Sequence, residues 1–208
     1  MTGFKANVYS QIGASNHVAA TRQDDDFYTT DPVAVEALLK KLQELKISVP
    51  ATIIETSVGA GHIAHVFERY GCEVEAYDIV DRGYPGTIVQ DFLSLDRLRC
   101  KAEKMFVQNP PYKRALEFIK RSLDFCRSGE YVCALLKIQF LESIKRYDEL
   151  FRSAPPKYIV VFSKRTTCLN EGKAPRHSPA MCFAWFIWQK GYTGFPRVTW
   201  CNVKALGA

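Results

Sequence analysis

Residues 105–112 read Met-Phe-Val-Gln-Asn-Pro-Pro-Tyr, an apolar run followed by an asparagine, two prolines and an aromatic ring. The apolar part is typical of a buried strand, and the rigid diproline places the polar residues at its end. There the amide oxygen of Asn109 and the carbonyl of Pro110 can accept the two hydrogens of a planar amino group, while Tyr112 stacks on its ring. Asn-Pro is also common in ordinary turns, so the interpretation depends on the surrounding chain.

Outward from this stretch, short apolar strands alternate with helices of about ten residues. The predicted strands are 52–56, 73–79, 87–89, 105–108, 131–136, 158–163 and 181–189, with 198–203 as a further candidate. The predicted helices are one that begins at Asp31-Pro32, then 62–70, one near 95–104, 114–126 and 142–152. This alternation predicts a three-layer α/β/α, Rossmann-like domain of about seven strands, mostly parallel. The last two long strands lack a helix between them, so we expect them to pair antiparallel.

The length of 208 residues predicts one domain with a sizeable core. Residues 1–25 are a candidate flexible amino-terminal segment, and 26–208 form the predicted domain. The chain contains no apolar run of 18 residues, and its first residues lack the apolar centre of a signal peptide. We therefore expect a soluble, cytoplasmic protein that does not enter a membrane.

The seven cysteines are odd in number and never form Cys-x-x-Cys. Several lie in apolar runs, where a thiol behaves as a small hydrophobic group, so we interpret them as reduced residues. His62 and His65 are three residues apart on a predicted helix, but no third ligand follows at a suitable spacing. We expect no metal site.

The net charge of +6 is concentrated near the carboxyl terminus. Residues 155–208 contain eight Lys or Arg and a single acidic residue, Glu171. A basic quarter on a near-neutral body indicates a surface that faces a polyanion, although a solvated basic face without a partner is the alternative.

Three further polar segments follow the predicted strands. Glu55-Thr-Ser-Val-Gly-Ala-Gly61 is a glycine-containing turn without the spacing of a dinucleotide or phosphate loop. Asp78 ends the next strand about 20 residues beyond that turn, where an acid can accept both hydroxyls of a ribose. Asp91 and Phe92 follow the third strand and could hold the amine and ring of an adenine. Equally, they could be a helix-capping acid and a core aromatic.

In this order, the four segments resemble the S-adenosylmethionine-dependent adenine-N6 DNA methyltransferases, in particular the small phage and prophage-borne members. Asp26-Phe-Tyr-Thr-Thr-Asp-Pro32 is similar to their upstream motif, and Ala184-Trp-Phe-Ile-Trp188 to their carboxy-terminal part. The glycine turn departs from the frequent Asp-x-Phe-x-Gly-x-Gly, because Glu55 replaces the acid and Ser57 the aromatic residue. Nothing after Tyr112 is long enough for a separate target-recognition domain.

The resemblance implies the following roles. The cofactor S-adenosylmethionine would contact Tyr28, Thr29, Thr30, Glu55, Ser57, Gly59, Gly61, Asp78, Ile79, Asp91, Phe92 and Asn109. The amine would be held by the catalytic residues Asn109, Pro110, Pro111 and Tyr112. The nucleic acid, expected to be duplex DNA with the target adenine flipped out, would contact Lys113, Arg114, Lys164, Arg165, Lys173 and Arg176. We expect a monomer.

Two other functions fit the same residues. Asn-Pro-Pro-Tyr also occurs in enzymes that methylate RNA adenines or protein glutamines, and the basic carboxy-terminal quarter favours nucleic acid without separating DNA from RNA. A cofactor-binding relative without activity is the third possibility, since the cofactor turn is unusual.

Overall fold

The computed structural model of the protein describes residues 29–164 and 182–202. Within these ranges eight strands form one sheet. In chain order the strands are β1 (Thr52–Glu55), β2 (Glu73–Asp78), β3 (Ile88–Val89), β4 (Lys104–Gln108), β5 (Tyr131–Lys137), β6 (Tyr158–Phe162), β7 (Phe183–Gln189) and β8 (Arg197–Cys201).

The helices flank this sheet. The α-helices are α1 (Pro32–Glu44), α2 (His62–Arg69), α3 (Ala115–Phe125) and the short α4 (Ile144–Arg146), which continues as a π-helix (Tyr147–Phe151). Three 3₁₀ turns span Phe92–Ser94, Tyr112–Arg114 and Ile138–Leu141. Asp31 caps α1 as its sequence predicts, because its side chain accepts a hydrogen bond from the Val33 N–H at 3.0 Å.

The strand order is β3-β2-β1-β4-β5-β7-β6-β8. All neighbours pair in parallel except β7, which is antiparallel to both β5 and β6. The mostly parallel sheet and its antiparallel hairpin of β6 and β7 are therefore confirmed. The sheet has eight strands because the candidate strand near residue 198 pairs with β6 at its edge.

Alternate strand residues face two separate apolar cores. Ile53 and Val107 pack on the side of α1 and α2, whereas Ile54 and Phe106 pack on the side of α3. Because both faces of the central strands are covered, the domain has the predicted three layers.

The predicted helix near 95–104 does not form. After the 3₁₀ turn, Leu95 and Leu98 are buried in the core on the α3 side, while the carboxylate of Glu75 accepts hydrogen bonds from the N–H groups of Arg99 (3.0 Å) and Cys100 (2.6 Å). The Glu75 carboxylate on β2 thus binds N–H groups that a helical turn would have paired internally, and the segment stays irregular up to β4.

The predicted helix 142–152 begins two residues late. Ser143 is extended and caps α4 by accepting from the Arg146 N–H at 3.3 Å. The guanidinium of Arg146 donates to the carbonyls of Phe140 (2.6 Å) and Glu142 (2.7 Å), which holds the preceding loop against the new helix. None of the helices within the described ranges combines the length and apolarity that a bilayer crossing requires.

Candidate active site

The strand order reverses direction between β1 and β4, which are neighbours in the sheet. The chain leaves β1 for α2 on one face and leaves β4 for α3 on the other. A crevice forms at such a point outside the carboxyl ends of the strands, and ligands of open α/β sheets bind there. The glycine turn and Asn109 are the segments that follow these two strands.

Residues 57–61, which we call the glycine bend, need glycine at two positions. Gly59 and Gly61 have φ angles of 54° and 80°, in the left-handed region that other residues rarely adopt. A Cβ atom on Gly61 would lie 2.3 Å from Cδ2 of Tyr84. Tyr84 therefore packs directly on the bend, a contact that no sequence signal indicated, and its hydroxyl donates to Glu68 at 2.7 Å.

Asp78 joins the end of β2 to the glycine bend. Its Oδ2 accepts a hydrogen bond from the Gly59 N–H at 2.8 Å, and its Oδ1 accepts one from the Val80 N–H at 3.1 Å. Both carboxylate oxygens keep further acceptor capacity, which a ribose would use. Ile79, the next residue, is half exposed beside it. These contacts bring the first two predicted cofactor segments together.

Glu55 is a buried acid two residues before the bend, with 1% of its surface exposed. Burial raises the pKa of its carboxyl well above the ordinary value, and the nearby charges of Asp78 and Glu68 raise it further, against a hydrogen bond from the Ala64 N–H. Within the described ranges, Glu55 Oε2 has no hydrogen-bond partner. A buried, unpartnered carboxylate oxygen is costly unless a ligand completes the site.

Asn109 is held from two sides. Its Nδ2 donates to the hydroxyl of Thr30 at 3.1 Å, and its main-chain carbonyl accepts from the hydroxyl of Ser57 at 3.1 Å. Thr29 and Thr30 are both buried, as is Pro110. The bond to Thr30 fixes the orientation of the amide, whose Oδ1 is shielded from solvent. Segments far apart in sequence, 29–30, 57 and 109, thus meet at one point.

Tyr112 is half-buried beyond the two prolines. Its ring lies 5.9 Å from that of Phe183 at an angle of 39°, and Nζ of Lys137 lies 4.5 Å from its centroid. Sequence reasoning missed both partners. Lys137 ends β5 and Phe183 begins the antiparallel β7, so the sheet pairing itself brings them to this edge, where they face each other in register.

Asp91 and Phe92 have the positions of a capping acid and a core aromatic. Asp91 Oδ1 accepts from the Leu93 N–H at 2.9 Å, and its Oδ2 lies 3.6 Å from Nη1 of Arg114. Phe92 is 1% exposed and stacks on Phe118, with 5.7 Å between centroids. Their contact with an adenine stays a prediction.

The structure describes some of the residues that are predicted to contact nucleic acid. Lys113 and Arg114 are exposed on the turn after Pro111, and Lys164 is exposed just beyond β6. β7 is antiparallel to both β5 and β6, so the end of β6 and the start of β7 lie at the carboxyl ends of the parallel strands. Lys164 and Cys182 are therefore on the same side of the sheet as Asn109. Tyr28, Arg165, Lys173 and Arg176 lie outside the described residues.

The described ranges hold no group of three His, Cys, Asp or Glu side chains that could bind a metal. His65 pairs instead with Glu68 at 3.0 Å, and burial, with the charge of His65, lowers the pKa of His62.

No protein-family model and no curated protein matches this chain. Solved structures do. A Listeria monocytogenes protein assigned to the class I S-adenosylmethionine-dependent methyltransferases has a TM-score of 0.58 at 14% identity over 91% of this chain and 69% of its own. A candidate RNA methyltransferase from Pyrococcus horikoshii has a TM-score of 0.58 at 13% identity, over 89% of this chain and 98% of its own.

The modification subunit assigned to a type I restriction enzyme of Vibrio vulnificus has a TM-score of 0.57 at 11% identity. That likeness spans 95% of this chain and 51% of the subunit. At such low identity these likenesses establish the fold, which is the Rossmann-like fold of S-adenosylmethionine-dependent methyltransferases.

Proposed function

We propose that this protein is an S-adenosylmethionine-dependent N-methyltransferase that acts on the N6 amine of adenine in DNA. The observation on which the proposal depends is that Asn109, at the end of β4, is held by Thr30 and Ser57 against the glycine bend at the end of β1. An amine-binding group and a cofactor-binding bend thereby share one crevice, as direct methyl transfer requires.

The residues around the bend fit the cofactor. Gly59 and Gly61, which give the bend its left-handed backbone, are the proposed main-chain contacts, and Asp78 offers acceptors for ribose hydroxyls. Glu55 Oε2, buried and unpartnered within the described ranges, suits a cationic group, which S-adenosylmethionine provides as its amine and sulfonium. Tyr28, Thr29, Thr30, Ser57, Ile79, Asp91, Phe92 and Asn109 are the further proposed contacts. When bound, the cofactor supplies an electrophilic methyl group on a sulfonium sulfur.

The proposed role of Asn109 and Pro110 is to accept the two N–H bonds of the target amine. An adenine amine is conjugated with its ring and is a weak nucleophile, so acceptors that favour a tetrahedral nitrogen expose its lone pair. The nitrogen lone pair would form the new N–C bond as the C–S bond breaks, with the C–S electron pair staying on the sulfur that leaves, and the extra proton on the methylated nitrogen would then pass to solvent. Because Oδ1 of Asn109 is shielded from solvent, its hydrogen bond to the amine would act in a water-poor environment, where it is stronger.

Adenine within a duplex cannot enter such a crevice, so the base must be flipped out. Tyr112, whose ring packs at a tilt against Phe183 and lies 4.5 Å from Nζ of Lys137, is the proposed stacking platform, and Pro111 joins it rigidly to Asn109. Lys113, Arg114 and Lys164 at the same edge, with Arg165, Lys173 and Arg176, are the proposed phosphate contacts.

Transfer of a tritiated methyl group to unmethylated duplex DNA, to RNA and to cell-lysate protein tests the proposal. We expect label in duplex DNA. Label confined to RNA or to protein would replace the proposed substrate with an RNA adenine or a glutamine side chain. Cofactor binding without label in any substrate would leave a binding protein without activity.

A further inference from the structure

A buried glutamine directly before Asn109 has no role in the proposed chemistry. Gln108 is 0% exposed, although it directly follows the apolar residues 105–107 of β4. Its Oε1 accepts a hydrogen bond from the hydroxyl of Thr56, which is 2% exposed. Its Nε2 donates to the hydroxyl of Ser122 on α3 at 3.2 Å, and that hydroxyl donates to the Phe118 carbonyl at 2.8 Å.

The bond between Thr56 and Gln108 continues the pairing of β1 with β4. Backbone pairing of these strands ends at Ile54 with Phe106, and Thr56 and Gln108 are each two residues further on. At this point the chain turns to opposite faces of the sheet, so side chains replace the ladder. One residue later, Ser57 bonds to the carbonyl of Asn109 at 3.1 Å. We call the Thr56–Gln108 bond the side-chain rung.

The rung is adjacent in sequence to both segments of the proposed site. Thr56 precedes the glycine bend and Gln108 precedes Asn109, so the rung joins the two segments to which the proposed function assigns the methyl donor and the amine. A fully buried amide needs such a partner, because burying an unpaired amide oxygen lowers the stability of the folded protein. An apolar residue would fill the same space at lower cost but would remove this bond between the two strand ends, leaving the bond of Ser57 to the Asn109 carbonyl.

We infer that Gln108 is a positioning residue, which sets the separation of the donor and acceptor segments through Thr56 without touching either substrate. The consequence for catalysis rests on the proposed function. In-line transfer needs near-contact geometry, and a displacement of about 1 Å can lower a rate by about 100-fold.

The test is a double-mutant cycle of Thr56→Val and Gln108→Met, both close in shape to the native residues. At saturating S-adenosylmethionine and DNA, each single variant should lower kcat by about 10- to 100-fold. The double variant should be no worse than the poorer single variant, because either change breaks the same rung. The dissociation constant for S-adenosylmethionine should change by less than about threefold, since no cofactor contact is removed.

Ser122→Ala is the matched control. It removes the other hydrogen bond of Gln108 and lowers the melting temperature, but it leaves the rung, so kcat should fall by less than about threefold. A kcat loss as large as that of Thr56→Val would assign the effect to general loosening of the core and overturn the inference. So would losses that multiply in the double variant, or losses confined to KM.

Hydrogen exchange separates this inference from the proposed function. Thr56→Val and Gln108→Met should speed exchange of the amides at 57–61 and 112–114 by at least about tenfold, and Ser122→Ala should not. If the unaltered protein methylates no substrate, the proposed function fails, while the exchange pattern still decides whether the rung holds the two segments. Unchanged exchange in both rung variants would refute it.

Discussion

The carboxyl of Glu55 combines burial with two acidic neighbours, Asp78 and Glu68, and these raise its pKa. Relative to an exposed carboxyl, this environment disfavours the charged form, whereas a bound cation would favour it. Binding of a cationic cofactor must then expel the Glu55 proton at low pH. The same side chain makes the folded state less stable as pH rises above the unfolded value, because folding must hold a proton or bury a charge.

We predict that affinity for S-adenosylmethionine rises with pH until the pH exceeds the pKa of Glu55 in the protein alone, and then levels off. Glu55→Gln should lower the affinity and flatten this profile, and it should raise the melting temperature at the alkaline end. Calorimetry and thermal unfolding between about pH 5 and 9 would measure both effects. Glu117→Gln, a change of an exposed acid on α3, is the control. If the affinity of Glu55→Gln for S-adenosylmethionine depended on pH as that of the native protein does, the role assigned to Glu55 would be contradicted.

Asn109 is predicted to act mainly on the amine and to contribute little to cofactor affinity. Asn109→Ala should reduce methyl transfer by at least about 100-fold, the usual cost of removing one preorganised hydrogen-bonding group at a reacting atom. The dissociation constant for S-adenosylmethionine should stay within a few-fold of the native value. Thr30→Val, which removes the partner that orients the amide but keeps the amide itself, should reduce methyl transfer by less than Asn109→Ala does. A fully active Asn109→Ala variant would exclude the proposed role.

At the scale of elements, the glycine bend depends on the absence of a side chain at Gly61. Gly61→Ala should lower the free energy of unfolding by about 2–4 kcal/mol, from the left-handed backbone and the contact with Tyr84 together. Gly86→Ala, with a φ of 87° and nothing within 4 Å of its added Cβ, isolates the backbone effect and should cost only about 1–2 kcal/mol. Chemical denaturation measures both, and equal costs would argue against the Tyr84 contact.

Periodicity and turn residues predicted most elements of this chain, because the strands are short apolar runs and α1 has a capping acid before a proline. They failed where a tertiary partner replaced a local one. The segment after Phe92 has helical composition, but Glu75 and the core take its backbone and its leucines. A single sequence does not reveal which distant side chain competes with a helical turn.

The site follows the same division. Asp78, Gly59 and Asn109 could be predicted to meet because parallel strands end at one edge of the sheet. Tyr84, Lys137 and the side-chain rung could not. Tyr84 contacts the bend because the loop after β2 folds back, whereas Lys137 and the rung depend on the register of neighbouring strands, which a single sequence does not reveal.

At the scale of the whole molecule, the edge of the sheet formed by the carboxyl ends of its parallel strands contains Asn109 and also exposes Lys113 and Lys164. If this edge faces the phosphate backbone, Lys113→Ala and Lys164→Ala should each weaken DNA binding and reduce the slope of log affinity against log salt by about 1. Arg197 is exposed at the start of β8, at the amino ends of the parallel strands and so on the opposite side from Asn109. Arg197→Ala should therefore change neither the DNA affinity nor its salt dependence. Fluorescence anisotropy of labelled DNA over a salt series would measure both the affinity and its salt dependence. Equal losses in all three variants would indicate only a net-charge effect.

The central claim is that Asn109 holds an adenine amine next to the methyl donor at the glycine bend. Its most direct test is to incubate unmethylated duplex DNA with the protein and S-adenosylmethionine, digest the DNA to nucleosides and identify the product by mass spectrometry. We predict N6-methyladenine with the native protein and a loss of at least about 100-fold with Asn109→Ala. Methylation at a ring carbon, or N6-methyladenine formed equally well by the variant, would contradict the account.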